Sequence, residues 1–318
     1  MNSVVIISDF LRQISKQQKE LLEKKSKMKK NLLFLTVFMT IFSLTNAQIL
    51  YKVQTKNSES PSYIFGSHHL SPISVVEESG VMDFFNQTDQ VVGEIDLSMD
   101  PMALTMALQP YMMAPADSTL SVVLKGENLD SLNAQFVKWA PMPGMQLQML
   151  EPLKPIAVTT MLAAGMTQEV MPGFDPNQQL DTYFFQTAVK EDKNIVALET
   201  PEYQGEVLFN MTPISVQAEM LIDMLKNPDE ALNAARKLCD AYKNRDLDAM
   251  IEISKEDTEH PEFMEQILYK RNADWLEKLP AILEETPSLV VVGALHLAGS
   301  KGIIQGLKDK GYEITPVY

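Results

Sequence analysis

Four short apolar runs, each closing on a side chain able to do chemistry, constrain this chain more than any other feature in it. They are Tyr63-Ile64-Phe65 into Gly66-Ser67-His68-His69, Val91-Val92-Gly93 into Glu94, Ile195-Val196-Ala197-Leu198 into Glu199, and Leu289-Val290-Val291-Val292 into Gly293-Ala294-Leu295-His296. Runs of this length, bounded by polar or turn residues, read as buried strands. Segments with helical spacing lie between and after them: Val75 to Asn86, Met99 to Met113, Asp130 to Trp139, Leu180 to Lys190, Val216 to Leu225, Ala231 to Asn244, Glu262 to Glu285 with a break near Pro280, and Ile303 to Lys310. Strands alternating with helices predict an α/β fold, a central β-sheet flanked by helices. The outer two runs carry Gly-x-x-His and the inner two carry Glu, which predicts two related halves around one sheet. Mainly helical insertions are expected over about 100–190 and 205–285.

Residues 28–47 read as an export signal: Met28-Lys29-Lys30 is its basic start, Leu32 to Leu44 its apolar stretch, and Thr45-Asn46-Ala47 its small-residue cleavage site. The apolar stretch is short for a spanning helix, which needs about 20 residues. Residues 1–27 are polar and basic and precede a second Met, so they read as an upstream extension outside the natural start. Residues 48–318 are then one exported α/β domain, periplasmic or secreted, with no later stretch apolar and long enough to span a bilayer.

The whole chain carries 27 Lys and Arg against 42 Asp and Glu, a formal charge of −15. Residues 1–47 hold eight of those basic residues and three of the acidic ones, which leaves 19 against 39, or −20, for the exported part. So acidic a chain is a poor partner for nucleic acid phosphates or an anionic membrane surface. The single Cys239 can form neither an intramolecular disulfide nor a cysteine-based zinc site, and it reads as a small core hydrophobe. Residues 99–171 hold eleven of the twenty methionines. A thioether cluster could bind Cu(I) or line an adaptable groove, but a helical core is the preferred reading, cut into short helices by Pro141, Pro143, Pro152, Pro155 and Pro172.

Ligands of open α/β sheets bind outside the carboxyl ends of the strands, where His69, Glu94, Glu199 and His296 all fall. Two imidazoles and two carboxylates brought together could hold a divalent metal, with His69, His296 and Glu94 as ligands and open positions for water. Glu199 could ligate in place of Glu94, and whichever of the two carboxylates does not ligate would take the proton of the activated water, so hydrolysis is the expected reaction class. Each residue also has a plainer role: a strand-end His that bonds to backbone, or Glu199 as a cap in Glu199-Thr200-Pro201-Glu202. Arg271 in Tyr269-Lys270-Arg271-Asn272 reads either as a surface pair on a mixed-charge helix or as an oxyanion stabiliser. His68 reads as a neighbour of the site and His260 as a surface residue. No His-Glu-x-x-His, Gly-x-Ser-x-Gly, P-loop or Gly-x-Gly-x-x-Gly is present.

Taken in order and spacing, these residues resemble the TraB/GumN family, which includes the TIKI metalloproteases, from about Ile49 to Tyr318. The resemblance runs through Gly66-Ser67-His68-His69, Glu94, Asp181-Thr182-Tyr183-Phe184, Lys193, and Leu198-Glu199-Thr200-Pro201-Glu202-Tyr203-Gln204. It continues through Arg271-Asn272 with Trp275, Gly293-Ala294-Leu295-His296-Leu297-Ala298-Gly299 and Gly311-Tyr312. It implies an α/β fold with paired Gly-x-x-His motifs and an essential Glu. In the TIKI branch it implies a protease dependent on manganese or cobalt-type ions, zinc being possible from the ligand types. His69, His296 and Glu94 then form the core of the site, with Glu199 and Arg271 in support and a peptide or protein as substrate. The reading from another class is a periplasmic metal- or haem-binding protein that uses the same histidines without turnover.

Overall fold

The computed structural model describes residues 48–55, 60–175, 178–256 and 261–317. The proposed extension, the signal segment and His260 lie outside these residues. The fold is α/β, a mixed six-stranded sheet flanked by helices. Its strands are β1 (Leu50–Gln54), β2 (Ser62–Ser67), β3 (Gln90–Gly93), β4 (Asn194–Ala197), β5 (Ser288–Gly293) and β6 (Glu313–Pro316), in the order β4-β3-β5-β2-β1-β6. The four expected runs are β2, β3, β4 and β5, and they are mutually parallel. The two added strands are antiparallel to their neighbours, β1 against β2 and β6 against β1.

Parallel strands buried on both faces need continuous apolar sequence, which Val91-Val92 and Leu289 to Val292 supply at 0–1% exposure. β4 departs from that expectation: it is an edge strand, and Asn194 and Ala197 are exposed. The register places Ser67 beside Gly293 and Gly93 beside both Val291 and Ala197, so the four carboxyl ends lie in one row. The chain leaves β3 toward β4 at one edge and leaves β5 toward β6 at the other. The loops after these adjacent strands therefore diverge, opening the crevice where sheets of this kind bind ligands.

One large core joins both faces of the sheet to their helices, with Trp275, Phe65, Phe85, Phe184 and Phe185 among its fully buried side chains. A second, separate core built on Leu120, Phe136, Leu162 and Leu221 gives the helical region its own interior. Pro155 begins the sixteen-residue helix Pro155–Val170 at its first turn, where proline lacks only an N–H that would be unpaired anyway. That region therefore contains a long helix as well as short ones. The expected break near Pro280 does not occur. The helix Arg271–Glu285 runs through it, and the irregularity falls earlier, in a π-helical turn at Glu265–Lys270. Cys239 is buried, and burial raises its thiol to about 11, as suits an inert core residue. Among the described residues no helix is long and apolar enough to cross a membrane.

Gly93 ends β3 against the helix Leu180–Lys190, where a Cβ would lie 2.3 Å from the ring of the buried Phe185. We expect Gly93→Ala to cost about 1–3 kcal/mol by overpacking, read from the midpoint of urea unfolding at unchanged slope.

Candidate active site

The four strand-end residues come together around a fifth, Arg271. β3 and β4 continue to pair past their ends, with Glu199 N–H donating to the Glu94 carbonyl at 2.8 Å, so the two Glu leave the sheet side by side. Arg271, at the start of Arg271–Glu285, reaches between them from above. Its Nη2 donates to Glu94 Oε2 at 2.6 Å and to Glu199 Oε2 at 2.9 Å, and its Nε donates to Glu199 Oε1 at 2.9 Å. Its Nη1 donates to the Ile267 carbonyl at 3.1 Å and meets His296 Nε2 at 3.2 Å. A guanidinium has five N–H groups, and these contacts use all of them. Arg271 is therefore a buried organising cation, its side chain 5% exposed. Neither expectation for it holds as drawn: it is not at the surface, and it has no donor left for an oxyanion.

Glu199 balances that cation. Its side chain is 2% exposed and also accepts from Trp275 Nε1 at 2.8 Å, so both its oxygens are engaged. The cap of the following helix is instead Thr200, whose hydroxyl accepts from the Tyr203 N–H. Trp275 in turn stacks on His296, ring centroids 4.3 Å apart, and lies 4.8 Å from the Arg271 guanidinium carbon.

His296 lies in the short 3₁₀ turn Ala294–Leu297 after β5. Asn272 donates through Nδ2 to the His296 and Lys301 carbonyls, which leaves its Oδ1 to accept at 2.6 Å from His296 Nδ1–H. The Nε2 lone pair then accepts from Arg271. Burial, with Arg271 and His69 adding to it against Glu94, lowers this imidazole to about 3, so the ring is neutral.

Glu94 is the carboxylate left facing the crevice. Oε1 accepts from the Gly293 N–H at 2.9 Å and stands 3.9 Å from His296 Nε2, while Oε2 also takes Gln204 Nε2 at 3.3 Å. Burial opposes its charge, but Arg271, His69 and the Gly293 N–H outweigh that, and its carboxyl stays well below the usual range. His69 faces it from β2. Its Nδ1 bonds to Asp181 Oδ2 at 2.8 Å, and Asp181 Oδ1 accepts from Ser67 Oγ at 2.6 Å, which fixes the ring with Nε2 toward the crevice. Asp181 first, then Glu94, raise this imidazole to about 9 against its desolvation and Arg271. At 60% exposure water screens the pair, but the direction stands: Asp181 and Glu94 favour the protonated ring. His68, by contrast, turns to the Tyr242 ring at 5.3 Å and is lowered to about 4, first by burial and then by His69.

The reactive atoms meet over Gly293. A methyl group built on its Cα would lie 3.3 Å from His69 Nε2, 3.4 Å from Glu94 Oε1 and 3.5 Å from His296 Cδ2. Glycine leaves that position free for a ligand atom. As the expected metal ligands, His69 Nε2 and Glu94 Oε1 border this space, but the His296 lone pair is taken by Arg271. Among the described residues no group of three His, Cys, Asp or Glu is arranged to hold a metal ion. A guanidinium stands where a coordinating set would need an ion, so the residues as placed do not fit a metal held by all three.

The sequence reading did not single out Asp181, Asn272, Gln204 or Trp275 for roles, although all four lie in the segments that carry the family resemblance. Asp181 is a buried acid in the first turn of an otherwise apolar helix face, and that was a readable signal.

No curated protein and no solved structure matches the chain. The model of the TraB/PrgY/gumN family matches residues 49–316, a span that takes in every strand of the sheet, and the chain belongs to that family.

Proposed function

We propose that this protein is an exported hydrolase of acyl bonds, a peptidase by preference, in which Glu94 and His69 activate water across the space above Gly293. The observation that carries this reading is the convergence of His69 Nε2 and Glu94 Oε1 on one methyl-sized position, open to solvent on the His69 side. Their surroundings push the two groups apart in acidity, Glu94 down and His69 up, the pattern that separates a base from an acid in one site. Export rests on the signal pattern of residues 28–47, and the peptide bond on the resemblance to the TIKI branch.

In this reading water lies against Glu94 Oε1, which takes one of its protons as the oxygen adds to the acyl carbon. The His69 imidazolium polarises the acyl oxygen and then gives its proton to the leaving amine or alkoxide. Transfer of the proton from Glu94 to His69 resets the pair. A carboxylate held this far down is a weak base, so orientation carries more of the rate than proton affinity. Arg271 holds Glu94 charged and in place. His296, neutral and fixed by Asn272 and Trp275, walls the site. No step runs through a metal.

Glu94→Gln and His69→Gln are expected to lower kcat/KM by about 10²–10⁴-fold on peptide amides or nitrophenyl esters, with the fold intact by circular dichroism. Equal cleavage by the wild type and both variants would end the hydrolase reading. Because catalysis needs His69 protonated, the rate should fall as pH rises through about 9. Dialysis against a chelator should leave cleavage unchanged; loss that manganese or cobalt alone restores would return the site to metal chemistry.

Arg271→Ala strands two buried carboxylates and should cost about 3–5 kcal/mol of stability. A change below about 1 kcal/mol in urea unfolding would show that Arg271 does not organise the site.

A further inference from the structure

A second concavity lies at the same sheet edge, on the other side of the β2 loop. Consecutive residues of that loop point in opposite directions: His69 toward Glu94 and Asp181, His68 toward Tyr242. Beyond Tyr242 is a cavity of about 260 Å³, bounded on its apolar sides by Ile49, Val75 and Met171. Its polar lining includes two cations. Lys243 and Arg245 both reach it, and among the described residues neither has a carboxylate partner. The Lys243 Nζ donates to the Val170 carbonyl at 3.3 Å, and Arg245 donates to Gln48 Oε1 at 3.4 Å and to the Glu78 carbonyl at 2.9 Å, all neutral acceptors. Ser71 is fully buried in the wall, its Oγ beside the Tyr242 hydroxyl. The one acid on the wall is Glu78, whose side chain is exposed.

Arg245 holds a left-handed backbone, φ 58°, just past the end of the helix Pro228–Lys243. Glycine is the usual residue there, since a Cβ is disfavoured in that conformation. An arginine at such a position brings a guanidinium to the cavity against the local preference of the chain.

We propose that this cavity is a binding site, distinct from the Glu94–His69 centre, for a small carboxylate with a short apolar tail. The carboxylate takes Lys243 and Arg245, and the tail lies against Ile49, Val75 and Met171.

The test is calorimetric titration of the folded protein with hexanoate, and separately with inorganic phosphate. Arg245→Gly is the informative variant, because it removes the guanidinium while giving the backbone the residue it prefers, so the protein remains folded. Hexanoate should saturate one site in the wild type, and Arg245→Gly should weaken it about tenfold, the loss of one charge-assisted hydrogen bond. Lys243→Met should weaken it comparably, and phosphate should not compete. Absence of saturable hexanoate binding at about 20 mM, equal binding by wild type and Arg245→Gly, or tighter binding of phosphate would each overturn the proposal. Cleavage activity is not part of this readout, so the two sites stand or fall separately.

Discussion

Everything at the carboxyl edge of the sheet is arranged about one buried positive charge. Arg271 spends all five N–H groups on two carboxylates, an imidazole and a carbonyl, and each acceptor comes from a different segment of the chain. Burying a guanidinium is unfavourable unless its partners are excellent in geometry, and the mutual dependence is the point. Glu199 neutralises it, Glu94 remains charged because of it, and His296 stays neutral beside it. The three strand ends therefore share a single electrostatic solution rather than three local ones.

The sheet supplies the positions on which that solution depends. Parallel pairing of β3 with β4 and β5 puts Glu94 between the ends of its neighbours, and pairing of β2 with β5 brings the His69 loop beside Gly293. The surrounding pieces reinforce those positions: Asp181 from the helix Leu180–Lys190 holds His69, and Asn272, one residue after the central cation, holds His296. A site assembled from strand ends and helix starts needs few mobile parts to keep two titratable groups in register.

The strands that carry the chemistry were legible because burial on both sheet faces leaves an uninterrupted apolar signature, as in Leu289 to Val292. β1 and β6 were not, since Leu-Tyr-Lys-Val-Gln and Glu-Ile-Thr-Pro mix polar residues into short segments. His69, Glu94, Glu199 and His296 could be placed together because strand ends announce themselves. The direction of Arg271 could not. The π-helical turn at Glu265–Lys270 adds to the helix just before it, so the face that residue 271 occupies cannot be read from the spacing upstream. The metal expectation shares that origin, for a sequence shows two imidazoles and two carboxylates but not the guanidinium lying among them.

The strand order also governs how this molecule can meet copies of itself. Both open margins of the sheet are only four residues long, β4 with its ends Asn194 and Ala197 in solvent and β6 closing on Pro316, which has no N–H to offer. Such brief, interrupted borders are poor templates for strand addition, a route by which exposed sheet edges aggregate. The protein thus carries its protection against edge-to-edge pairing in the lengths of its outermost strands.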